Sequence, residues 1–230
     1  MIRFRIFQIF AILTALFLPL RAEEVDSTRF SAAFMALGCD AAGLNRAGER
    51  LIRELNTQTH LDPMPGQAWK RIDETLKGAP PFVCIVIGGE AELSPDLILN
   101  LQRYMSAGGT VLSMANGSQG SSARLLALSK ALFPEKNPQV VDSGHILGRT
   151  FFMVSDSYMS HLRYERSGTR VCWLETEVPL LANLEASGQG RTMDSETSLK
   201  VLINVIFYTM TGNYKDDLTH VRYLFRRRKP

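Results

Sequence analysis

Two stretches of the chain are almost wholly apolar and are bounded by turn-forming residues: PFVCIVI at 81–87, which follows a GAPP break, and GTVLSMA at 109–115, which follows Gly108. Runs of this length with so little polar content are the pattern of strands buried on both faces. Between them, Ser94 and Pro95 stand in the order of N-cap and first-turn proline. They open a helix that carries Leu97, Leu99, Leu101 and Tyr104 and stops at Gly108-Gly109. After the second run, NGSQGSS reads as a polar turn, and 123–133 as an amphipathic helix closed by Pro134. Upstream, FSAAFMAL at 30–37 predicts a first strand, and Leu44, Ala47, Leu51, Ile52 and Leu55 fall on one face of a helix. HLDPMPGQ reads as a turn or short edge segment, and 69–76 as a second short helix. This alternation with short connections predicts the α/β class: one domain, a mainly parallel sheet with flanking helices, and right-handed crossovers.

Beyond residue 138 the pattern loosens. Short β-like pieces are expected around 139–141, 150–154 and 170–175, followed by a long helix over 195–210. Leu199, Leu202, Ile203, Ile206 and Phe207 share one side of that helix, and Asn204 is expected on the opposite side.

The first 22 residues place Arg3 and Arg5 ahead of an apolar run from Ile6 to Leu20, then the small residue Ala22 and the acidic pair Glu23-Glu24. This is the pattern of a secretory signal peptide cleaved after Ala22, leaving 23–230 as the folded chain. The alternative is an uncleaved anchor to the inner membrane. The fifteen-residue run, broken only by Gln8 and Thr14, reaches only about 22 Å, short of a ~30 Å hydrocarbon core. Either way, export to the periplasm is the expectation.

Export changes the charge. The whole chain carries +3, but Arg3, Arg5 and Arg21 belong to the leader, and without them the cations equal the 23 Asp and Glu. A general affinity for nucleic acid therefore has no electrostatic footing. Apolar residues at 45% and charged residues at 21% exclude a disordered or polytopic membrane chain.

Cys39, Cys84 and Cys172 are too few and scattered for a disulfide framework or zinc site, and His60, His145, His161 and His220 show no metal-ligand spacing. Buried structural thiols and a Cys84–Cys172 bridge are both compatible with the spacing. No metal and no cofactor are implied.

In open parallel sheets, ligands bind beyond the carboxyl ends of the strands. Two loops belong there: Gly88-Gly89-Glu90 and Asn116-Gly117-Ser118. Both offer glycine backbone and a polar side chain for a ligand, or the glycines serve only tight turns. Neither the phosphate-loop spacing nor G-x-G-x-x-G occurs, which disfavours nucleotide binding. The second loop falls one residue short of a G-x-S-x-G nucleophile elbow, because Asn116 stands where the first glycine belongs. Ser118 and His145 are a catalytic pair only if the fold brings them together; otherwise His145 is a loop residue bonded to backbone. Asn213, Lys215, Asp217 and His220 crowd the tail, as a ligand site or as salt bridges fixing it. Arg226, Arg227, Arg228 and Lys229 then offer a membrane contact or a solvated end.

The ordered blocks PFVCIVIGG, YMSAGGTVLSMA, LFP at 132–134, GHIL with FF at 144–152, and VLINVIFYTMTGNYKDDLTHVRYLF resemble the bacterial family catalogued as domain of unknown function 4159, over about 30–224. The resemblance implies a flavodoxin-like sheet similar to that of class I glutamine amidotransferases, and no established reaction. Those enzymes carry an elbow cysteine and a later His-x-Glu. Here Asn116, Gly117 and Ser118 occupy the elbow, and no His-x-Glu occurs. The resemblance also implies work in an envelope assembly, with MoxR-type ATPases or von Willebrand factor A proteins as partners. The expected function is an exported, non-catalytic module that binds a protein or small ligand. A serine-dependent hydrolase or amidotransferase-like enzyme built on Ser118 is the alternative.

Overall fold

Six strands form a mixed sheet in the order β2-β4-β5-β8-β7-β6: β2 (Ala32–Leu37), β4 (Phe82–Ile87), β5 (Thr110–Ala115), β8 (Arg170–Thr176), β7 (Leu162–Ser167) and β6 (Gln139–Val140). The first four run parallel; β7 is antiparallel to β8, and β6 to β7. A two-residue pair, β1 (Arg29–Phe30) with β3 (Asp62–Pro63), lies apart from this sheet. The computed structural model describes residues 29–30, 32–59, 61–63, 82–186 and 195–210. The leader, the helix expected at 69–76 and the tail beyond 210 lie outside them.

Every side chain of β4 and β5 is buried, as their sequences require. Alternation sends Phe82, Cys84 and Val86 to one face, against α1 (Ala41–Gln58), α5 (Leu180–Ala186) and the helix over 195–210, here α6. Val83, Ile85 and Ile87 face the other way, against α2 (Pro95–Ser106) and α3 (Ser121–Leu132). The result is helix, sheet, helix in three layers, in keeping with a flavodoxin-like arrangement. Antiparallel strands at one edge modify it.

Local chemistry sets the helix ends. Asp40 caps α1 by accepting the Ala42 N–H at 3.0 Å, and Ser94 caps α2 by accepting that of Leu97 at 3.2 Å, with Pro95 in the first turn. Among the described residues, no helix is long and apolar enough to cross a membrane.

Three expectations change. The piece at 150–154 is no strand; it follows a 3₁₀ turn (Ile146–Arg149) and runs irregularly to the short α4 (Asp156–Met159). Asn204, placed on the opposite side of α6 from the apolar stripe, is 1% exposed, because every residue from 201 to 206 is buried and the core surrounds that stretch of the helix. The third change is a strand missed: β7 carries four charged or polar residues in LRYERS, and its hairpin partner β8 is what gives it a place.

Candidate functional site

The loops after β2, β4 and β5 interlock at the carboxyl edge of the sheet. The N–H of Gly88 donates to Leu37 O at 2.8 Å and that of Asn116 to Ile87 O at 2.9 Å, so each ladder continues one rung past its strand. Backbone then meets backbone. A Cβ on Gly88 would stand 1.9 Å from Gly38 O, and one on Gly89 2.1 Å from Gln119 O. Close approach, more than turn formation, requires glycine at both positions.

Ser118 belongs to this lock. Its Oγ donates to Asn116 Oδ1 at 2.6 Å and accepts the Gly89 N–H at 3.3 Å, while its own N–H donates to Asn116 Oδ1 at 2.9 Å. The carbonyl of Ser118 takes the Ser121 hydroxyl, and Arg124 Nε donates to Gly89 O at 3.2 Å. The structure therefore brings Gly88, Gly89, Asn116, Gly117 and Ser118 together, with Gly117 at φ 83 and Glu90 exposed at the rim.

His145 has other partners. Its Nδ1 accepts the Leu147 N–H at 3.3 Å and caps the 3₁₀ turn, its Nε2 is 3.5 Å from an Arg166 nitrogen, and its ring is 4.6 Å from that of Tyr164. Burial lowers its pKa first, and the Arg166 charge adds to this against a smaller opposing effect of Asp142. Among the described residues, no hydrogen-bond partner is common to Ser118 and His145.

The thiols supply no nucleophile either. Cys84 and Cys172 belong to the cores on opposite faces of the sheet, so no bridge joins them, and all three cysteines are free. Desolvation raises the pKa of each. The tail residues Asn213, Lys215, Asp217 and His220, and Arg226, Arg227, Arg228 and Lys229, lie outside the described residues.

A cleft of about 420 Å³ opens beside this lock, between the first turns of α3 and the β7–β8 ladder. Ser122, Leu125 and Leu126 form one wall, and Ser160, His161, Arg163, Glu175, Thr176 and Glu177 the other. Arg163 and Glu175 are cross-strand partners, with Arg163 NH1 3.9 Å from Glu175 Oε1. Glu175 is 4% exposed, and its Oε2 accepts the Trp173 Nε1–H at 2.9 Å. Sequence reading missed these residues because they meet only when β7 pairs with β8. A signal was present in Ser167-Gly168-Thr169-Arg170, a two-residue hairpin turn with Gly168 at φ 63 between two β-like runs.

Fold and site together define an α/β/α domain with a polar cleft at the carboxyl edge of its parallel strands, where such sheets bind ligands. The sequence model of the family described as Domain of unknown function (DUF4159) matches residues 38–210, and the chain belongs to that family. No curated protein matches it. Among the described residues, no three His, Cys, Asp or Glu side chains gather as metal ligands.

Proposed function

We propose that the chain is a non-catalytic binding module that works after export, holding a small ligand in the cleft between α3 and the β7–β8 ladder. One observation carries the reading: the hydroxyl at the elbow is spent. Ser118 Oγ donates to Asn116 and accepts from Gly89, and the base the sequence offered, His145, caps a turn and lies tilted against Tyr164 instead. An activated serine needs its proton directed at a base, which an amide oxygen is not. Export rests on the arginine-headed apolar leader and its small residue at 22. A role in an envelope assembly with MoxR-type ATPases or von Willebrand factor A proteins rests on the family resemblance.

The test is a fluorophosphonate serine probe applied to the purified chain. No adduct at Ser118 is expected, and Ser118→Ala should leave the cellular role of the protein intact. A Ser118 adduct, lost in Ser118→Ala and weakened in His145→Ala, overturns the reading in favour of a hydrolase.

A further inference from the structure

Glu175 is a buried carboxylate with half of its hydrogen bonding undone. Only 5% of its side chain is exposed, Trp173 occupies Oε2, and Oε1 accepts no hydrogen bond among the described residues; its nearest cation, on Arg163, stands at 3.9 Å. That distance is an ion pair and not a hydrogen bond. A buried charge in this condition is costly until something donates to it. A buried hydroxyl without a partner among the described residues adjoins it. Ser113 pairs with Glu175 in the β5–β8 register, and its hydroxyl is fully buried with no partner among the described residues. Val111 and Ala115, two positions either side of Ser113, belong to the core beneath α2 and α3, so Ser113 faces the same side of the sheet as the cleft.

The opposite charge is equally uncommitted. Arg163 lines the same cleft with 46% of its side chain exposed, and among the described residues its guanidinium donates no hydrogen bond. The fork of N–H donors on a guanidinium matches a carboxylate in two places. A cation with unspent donors and a buried anion with an unspent oxygen thus stand side by side in one cavity. Leu125 and Leu126 supply an apolar wall across from them.

We propose that this cleft takes a small zwitterion of the free amino acid class, with its ammonium on Glu175 Oε1 and its carboxylate on Arg163. The aliphatic part of the ligand packs on Leu125 and Leu126. The closeness of the two protein charges requires the ligand's charges to sit on neighbouring atoms, which excludes an extended peptide, whose two ends lie apart. The inference rests on the reading of this cleft as the ligand site.

Isothermal titration of the full chain with pooled free L-amino acids, then with each member of a binding pool, tests it. Binding is expected, and N-acetylation or carboxyl amidation of the bound amino acid should each weaken it by about 10–100-fold, the worth of one charge-assisted contact. Glu175→Gln keeps an acceptor for Trp173 and should remove the penalty for N-acetylation while preserving that for amidation; Arg163→Met should do the reverse. If Glu175→Gln does not fold, Arg163→Met and the blocked amino acids on the unaltered chain decide alone. The proposal falls if no amino acid binds, or if acetylated and free forms bind equally. Either result leaves the non-catalytic reading standing, whereas a Ser118 adduct defeats that part of it without touching the cleft as a ligand site.

Discussion

Asn204 and Phe152 exchange two hydrogen bonds: the Phe152 N–H donates to Asn204 Oδ1 at 2.7 Å, and Asn204 Nδ2 donates to the Phe152 carbonyl at 2.9 Å. Two more complete the amide, from Phe151 N–H to Oδ1 at 3.1 Å and from Nδ2 to Leu147 O at 2.8 Å. The side chain thereby uses two donors and two acceptor sites, its full capacity. It does for residues 147–152 what a neighbouring strand would do, which is how an irregular segment can pack on α6.

Removing that amide should be expensive. Asn204→Ala is expected to cost about 2–4 kcal/mol, from four lost bonds and the buried backbone groups left behind. The midpoint of urea unfolding measures it. Asn204→Asp, which retains the acceptor and loses both donors once ionised, should lose further stability as pH rises.

The glycine contacts predict an unequal series. Gly88→Ala and Gly89→Ala drive a methyl group into Gly38 O and Gln119 O and should prevent normal folding, seen as loss of a cooperative thermal transition. Gly168→Asn is the contrast: φ is 63, and a Cβ there meets nothing within 4 Å. Its cost should stay below about 1 kcal/mol, since asparagine tolerates the left-handed region.

His145 predicts a pH dependence. Its folded pKa lies below the ordinary 6.5, so on acidification the unfolded chain takes up a proton before the folded one does. The stability it contributes is whole above 6.5 and is lost as pH falls from there through the folded value. Protonated Nδ1 also cannot accept the Leu147 N–H. Denaturation curves should show the natural chain losing stability more steeply than His145→Gln between about pH 7 and 5; parallel slopes would refute this.

The thiols predict a labelling order. In the folded protein at neutral pH, iodoacetamide should modify half-buried Cys39 slowly, and Cys84 and Cys172 only after denaturation. Mass spectrometry of the unreduced, alkylated chain should find three carbamidomethyl groups after unfolding and no internal bridge.

The parallel half of the sheet was legible in the sequence because β4 and β5 are buried on both faces, and such strands declare themselves by composition. Capping residues at Ser94 and Pro95 gave the start of α2 for the same local reason. What stayed hidden depends on partners distant along the chain. Leu162–Ser167 is too polar to read as a strand before β8 is placed beside it, and Arg163 and Glu175 become neighbours only through that pairing. Asn204 shows the same limit. A polar residue on an apolar helix reads as an outward one, and nothing local announces that Phe151 and Phe152 will turn their backbone toward it. At the elbow the sequence showed the residue types at Asn116, Gly117 and Ser118, but the commitment of the hydroxyl to Gly89 is a property of two crossing loops.

Three loops locked backbone to backbone have a bearing on how this domain can diversify. A residue inserted into any one of them prises the others apart, so that rim is closed to remodelling. The corner at Ser160 and His161, whose backbone N–H groups bond within their own turn to Asp156 and Tyr158, is where lengthening or regrafting can retune what the cavity accepts while the sheet stays intact.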